Sequence, residues 1–266
     1  MQPSRHSTGA ASTPPREPQH PGLRTSQTAA KAAARQETQA PRRSSHRPRA
    51  QPPAQPHPHS AAVRLPLPAP QGELHYAYHY GATQGTAQLQ WRLDAEGYVL
   101  QLQRQRPGRA PTASISQGQW GDQGLSPARH SRLRKEREHE VLWLDPEDGA
   151  EPQAPLPGGT QDALSWWWQL AGMVAGHPTP LRPGLRWQLP LAQRRGGVQW
   201  WTFELTDVDA RHWRLQRVAA ADGEAVALQF ELLLDAQRGG LPLRLTLRQE
   251  GQLRWSLELL EGTSPP

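Results

Sequence analysis

Residues 160–178 read TQDALSWWWQLAGMVAGHP, the one clear helical signature in this 266-residue chain. On a wheel of about 100° per residue, Ser165, Gln169 and Gly172 share one narrow stripe. Leu164, Trp166, Trp167, Trp168, Leu170, Ala171, Met173, Val174 and Ala175 cover roughly 220° of the remaining arc. A surface helix needs an apolar stripe of only about 100°. A helix over about 161–175 therefore demands more cover than one flat sheet offers. Either a curved sheet wraps it, or part of its surface meets a ligand or partner. Thr160 is the expected N-cap, Asp162 suits the first-turn dipole, and Gly176 with Pro178 supplies the stop.

Outward from the helix the pattern changes to period two, that of half-buried strands. Leu74, Tyr76, Tyr78 and Tyr80 alternate with His75, Ala77 and His79. Leu89, Trp91 and Leu93 follow, then a turn at 94–97 (DAEG), then Tyr98, Leu100 and Leu102. A weaker strand is expected over 112–120 and a short one over 141–144. The charged run 132–140 (RLRKEREHE) reads as an exposed edge strand or a short helix. Past the helix, alternation recurs at Trp187–Leu191, Trp201–Leu205, Trp213–Leu215, Val226–Leu234, Leu241–Leu247 and Leu253–Leu259. Turn signals separate these segments at 194–197 (RRGG), at Asp222-Gly223, at 238–240 and at Glu250-Gly251. Hairpin order makes neighbours antiparallel, and a sheet this wide curls, splits or closes. The expected fold is mainly β, in the all-β to α+β range. It is a strongly curved antiparallel sheet, or incomplete barrel, of about ten strands wrapped around one α-helix.

Charge divides the chain. It holds 30 basic and 24 acidic residues. Nine of the basic and two of the acidic residues lie in 1–60, a net of +7 there, and the rest nets −1. All eleven Trp, four Tyr and two Phe come after residue 70. A segment rich in Pro, Ala, Gln and Arg without aromatics buries too little to fold. Residues 1–69 therefore read as a disordered basic tail or linker, 70–262 as a single β-rich domain, and 263–266 as a disordered end. The domain, about 195 residues, is large enough for one core. There is no cysteine, which removes disulfides, thiolate zinc sites and cysteine nucleophiles. No apolar run in the first thirty residues has signal-peptide length, and no run reaches the ~18–20 residues of a membrane span.

Three segments in this order resemble the domain of unknown function 3108 family: TAQLQWRLDAEGYVLQLQ (86–103), QDALSWWWQLAGMVAG (161–176) and GLPLRLTLRQEGQLRWSLELL (240–260). The resemblance covers about residues 70–260, and Gln161, Asp162, Leu164 and Ser165 at the helix start carry most of it. It implies a bacterial protein of the periplasm or cell envelope, reached through a signal or anchor and a Pro/Ala-rich linker. The linker is matched here and the anchor is not, so a chain starting at Met1 would be cytoplasmic. The family has no established reaction, and the triple Trp departs from the smaller aliphatic residues expected there.

The candidate ligand-binding residues are Trp166, Trp167 and Trp168 on the helix, with Trp200 and Trp201 on a strand. An indole offers a large apolar body with one N–H, which suits an amphipathic ligand; core packing is the alternative reading. Adjacent strand residues face opposite sides, so Trp200 and Trp201 cannot both be core if one face is wet. His75 and His79 are four residues apart, about 13 Å at ~3.3 Å per residue, too far to share a zinc ion. His57 and His59 lie in the tail. Asp145, Glu147, Asp148 and Glu151 lack the offsets of a calcium loop. Gly-x-Ser-x-Gly, phosphate-loop, dinucleotide and His-Glu-x-x-His motifs are absent. No cofactor, metal or catalytic residue is expected, and the dispersed tail charges, without aromatics, argue against nucleic acid. The expected function is a non-enzymatic envelope domain holding a lipid-like or other amphipathic ligand on the concave sheet/helix side. The alternatives are a protein–protein interaction domain without a small-molecule site and, more weakly, a hydrolase or a tail-driven nucleic-acid binder.

Overall fold

The alternating stretches become twelve strands and one helix in the computed structural model, which describes residues 62–67, 69–144, 156–219 and 227–260. The tail through residue 61, the acidic residues 145–151, Asp222-Gly223, Val226 and the end at 263–266 lie outside the described residues. The first six strands are β1 (Gln71–Tyr80), β2 (Thr83–Asp94), β3 (Gly97–Gln105), β4 (Thr112–Gly121), β5 (Gly124–Arg134) and β6 (Arg137–Trp143). Helix α1 (Trp166–Ala175) follows. The second six are β7 (Arg186–Ala192), β8 (Val198–Val208), β9 (His212–Val218), β10 (Leu228–Asp235), β11 (Leu241–Gln249) and β12 (Gln252–Leu259).

All twelve strands join one antiparallel sheet in the order β6-β5-β4-β3-β2-β1-β12-β11-β10-β9-β8-β7. Two meanders meet where β1 pairs β12, with Tyr78 opposite Leu257 and Tyr80 opposite Trp255. The chain's middle, α1, thus connects the two outer edges of the sheet. Its side chains reach strands from both halves: Trp166 meets Phe203 and Phe230, Trp167 meets Tyr76, and Trp168 meets Trp91. A sheet that touches one short helix from so many strands has to curl around it. The fold is the mainly β, curved antiparallel sheet around one helix that the alternation and the wide apolar arc called for.

The added strand is β5, with β6 lengthened beside it. The charged run is a β5–β6 hairpin whose turn residues, Lys135 and Glu136, sit at φ 51° and 62°. Neither Gly nor Asn marks this turn, so the local signal for a hairpin is missing.

The helix starts later than expected. Gln161 forms a parallel bridge with Leu191, donating N–H to the Pro190 carbonyl at 2.8 Å and accepting from Ala192 N–H at 2.9 Å. Asp162 is wholly buried and precedes the helix. Its Oδ1 accepts from the amides of Leu164 (2.7 Å) and Ser165 (2.8 Å), while its own amide donates to Ser165 Oγ (3.0 Å). That reciprocal pair is of capping-box type. Thr160 spends its hydroxyl on the Pro157 carbonyl instead of capping α1. Gly176 closes the helix as expected, its amide bonded to the Gly172 carbonyl.

Burial of α1 is all-round. The polar stripe is covered too: Gln169 Oε1 accepts from Leu125 N–H at 2.8 Å, and its amide donates to the Gln123 carbonyl. Residues 62–67 run along the Gly172 side, with Arg64 N–H donating to the Gly172 carbonyl at 3.1 Å. A Cβ on Gly172 would stand 2.6 Å from Val63 Cγ1, so this close approach needs glycine. A ten-residue helix is marginal alone in water. Its stability here is tertiary: an indole burying roughly 200 Å² contributes about 5 kcal/mol at ~25 cal/mol per Å² as an upper figure.

Candidate functional site

The concave side of the sheet holds a cavity of about 300 Å³ against the first turns of α1. One wall is aromatic and aliphatic. Trp166 stacks on Phe203 at 5.1 Å between ring centroids and 15° between planes, and meets Phe230 and Trp201 edge-on. Trp167, Trp255, Leu245 and Leu257 extend this wall. Trp201 is fixed from behind by the Arg217 guanidinium, 4.4 Å over its ring.

The opposite wall is polar, and the strand register builds it. Cross-strand partners from β3 to β6 form two inward rows: Leu100, Ser116, His130 and Leu142, then Leu102, Ser114, Arg132 and Glu140. Arg104, next on the inner face of β3, joins them and donates to Ser114 Oγ at 2.9 Å. Glu140 lies 3.5 Å from Arg132 and 3.5 Å from Arg194, which reaches over from the β7–β8 turn. Behind this wall a chain of hydroxyls leads to the helix start. Ser116 donates to Asp162 Oδ2 at 2.5 Å and so accepts from the Tyr98 hydroxyl at 2.8 Å.

Two buried nitrogens of this wall, His130 Nε2 and Arg104 Nε, have no hydrogen-bond partner among the described residues. His130 is 5% exposed. Burial holds its pKa below the ordinary 6.5, with Asp162 acting in the opposite sense. Burial also lowers Arg104, and the Arg132 and Arg106 charges push the same way. Tyr98 is raised well above 10, first by burial and then by Asp162.

Of the five tryptophans singled out by the sequence, the cavity gathers Trp166, Trp167 and Trp201. Trp168 is wholly buried on another side of the helix, 6.5 Å from Trp91. Three successive helical residues fan over about 200° and cannot share one wall. Trp200 faces outward and is 48% exposed, while its neighbour Trp201 is 8% exposed, as strand alternation requires. The residues that sequence reading missed are Arg104, His130 and Arg132. Only the pairing register of β3, β4 and β5 brings them together.

Among the described residues His130 makes no hydrogen bond to a carboxylate. Among the described residues, the His–carboxylate contacts lie on exposed surface, at His75–Glu73 (3.1 Å) and His212–Asp209 (3.6 Å). Among them too, no three His, Cys, Asp or Glu residues are grouped as metal ligands. Among the described residues no helix is long and apolar enough to cross a membrane. A second depression of about 300 Å³ lies on the outer face over Arg92, Val99 and Gln117, away from the helix.

No protein-family model and no curated protein matches the chain by sequence. Among solved structures the chain is similar to the crystal structure of a beta-barrel-like protein of domain of unknown function DUF1849 from Brucella abortus. That likeness has 12% identity and a TM-score of 0.44, and covers 75% of this chain and 98% of that one.

Proposed function

We propose that this chain is a non-enzymatic binding domain that holds a lipid-like, amphipathic ligand inside its curved sheet. The observation that carries the reading is the two-sided cavity, with Trp166, Trp167, Trp201 and Phe230 on one wall and Arg104, Arg132 and Arg194 on the other. A largely apolar cleft of about 300–1,000 Å³ with a few convergent polar groups is the usual form of a small-molecule site. The resemblance to the domain of unknown function 3108 family supports an envelope setting, where acyl chains are abundant. Native mass spectrometry of the whole chain, purified without detergent and again after solvent extraction, tests the reading. The expected result is an added mass removed by extraction, or restored by an added alkyl amphiphile. A chain that stays apo after exposure to amphiphiles would contradict it.

Trp200 favours a second reading, a protein-docking outer face, because a half-exposed indole on a strand surface is a common contact residue. Trp200→Ala separates the two: it removes such a contact and leaves the interior cavity unchanged.

A further inference from the structure

We infer that the polar end of the ligand is an anion, a carboxylate or a phosphate, seated at Arg104 beside Arg132 and His130; this rests on the ligand-binding reading above. Among the described residues, three guanidinium groups line the cavity, Arg104, Arg132 and Arg194, and one carboxylate, Glu140. Glu140 is already shared between Arg132 and Arg194. Among the described residues Arg104 is left with the Ser114 hydroxyl, its Nε shut off from solvent and unpartnered, and other cations nearby. A partly buried charge facing like charges is costly unless something of opposite sign completes it. The guanidinium fork matches the two oxygens of a carboxylate or phosphate. His130 Nε2, buried and unpartnered, adds a polar group on the same wall. The aromatic wall opposite leaves the alkyl chain against Trp166, Trp201 and Phe230.

The test is a titration of the whole chain with four compounds of one chain length: dodecanoate, dodecyl phosphate, dodecanol and dodecyltrimethylammonium. The expected result is that one or both anions bind at least about tenfold tighter than the alcohol, and the cation most weakly. Tighter dodecanoate assigns a free fatty acid, and tighter dodecyl phosphate a phospholipid-type head. Arg104→Met should bring the anions to the alcohol's level, leave the alcohol unchanged, and melt no lower than wild type, since it removes a partly buried charge that no described carboxylate compensates. Arg104→Lys, which keeps the charge and loses the fork, should retain part of the preference. Equal binding of anion and alcohol by wild type, or an anion preference that survives Arg104→Met, would overturn the inference and leave the cavity reading standing. Failure of all four compounds to bind would overturn the cavity reading itself.

Discussion

Arg194 Nε, on the turn between β7 and β8, lies 3.5 Å from Glu140 Oε1 on β6, so an ion pair links the two outer strands of the twelve-stranded sheet. Arg194 is largely exposed and Glu140 is not. Exposed pairs stabilise by only about 0–1 kcal/mol. The weight of this contact is therefore in the charge of the cavity wall rather than in stability. Glu140→Gln removes the one carboxylate that lines the cavity among the described residues. Its affinity for dodecanoate should rise about threefold to tenfold, with affinity for dodecanol unchanged. A fall in dodecanoate affinity, measured by the same titration, would show that Glu140 orients the arginines more than it opposes the ligand.

Asp162 ties the helix start to β4 through three hydrogen bonds, from Leu164 N–H, Ser165 N–H and Ser116 Oγ. Hydrogen bonds to a charged group are worth about 1.5–3 kcal/mol each, and their loss inside leaves the donors unpaired. Asp162→Ala should cost about 3 kcal/mol or more in urea unfolding. A cost under about 1 kcal/mol would mean that the carboxylate is incidental to the cap.

Trp168 and Trp200 make a matched pair for separating core from surface. Trp168 is fully buried beside Trp91 and Trp167. Trp168→Ala should cost about 3–5 kcal/mol. Trp200→Ala should stay within about 0.5 kcal/mol of wild type. Equal costs in chemical denaturation would refute the placement of the two faces.

His130 sets a pH dependence. Its pKa in the fold lies below the ordinary 6.5 because of burial, with Asp162, Arg132, Glu140 and Arg104 as the charged groups around it. The unfolded chain takes up a proton near the ordinary value, and the folded one resists it. Unfolded molecules therefore bind more protons as pH falls below about 6.5, and stability drops across the window down to the lowered folded value. Above about 6.5 this contribution is fully present. The denaturation midpoint should fall more between pH 7 and pH 5.5 for wild type than for His130→Gln. Parallel profiles would remove His130 as the cause.

Particular residues show what was legible in the sequence. Strands β8, β10, β11 and β12 could be read directly because their inward positions are Trp201, Phe203, Phe230, Leu232, Leu245 and Leu257, an unbroken apolar alternation. Strand β5 could not, because its inward positions include His130 and Arg132, so the face that builds the polar wall hides the strand carrying it. The helix's wide apolar arc pointed to a curled sheet. Its cover over Gln169 and Gly172, supplied by Gln123, Leu125 and residues 62–67, depends on contacts distant in sequence that no local pattern records. Trp166, Trp167 and Trp201 stood out as large indoles. Arg104 did not, because one arginine in QLQRQ becomes distinctive only when register sets it on the inner face with no carboxylate partner among the described residues.

The most direct test of the central claim, an alkyl chain lying inside the curved sheet, is quenching by terminally brominated dodecanoate. Bromine quenches an indole only in near contact, and Trp166, Trp167 and Trp201 line the cavity. The expected result is saturable quenching of the intact chain's tryptophan emission, competed off by unbrominated dodecanoate and unchanged in Trp200→Ala. Binding without quenching, or quenching abolished by Trp200→Ala, would put the ligand on the outer face and contradict the interior site.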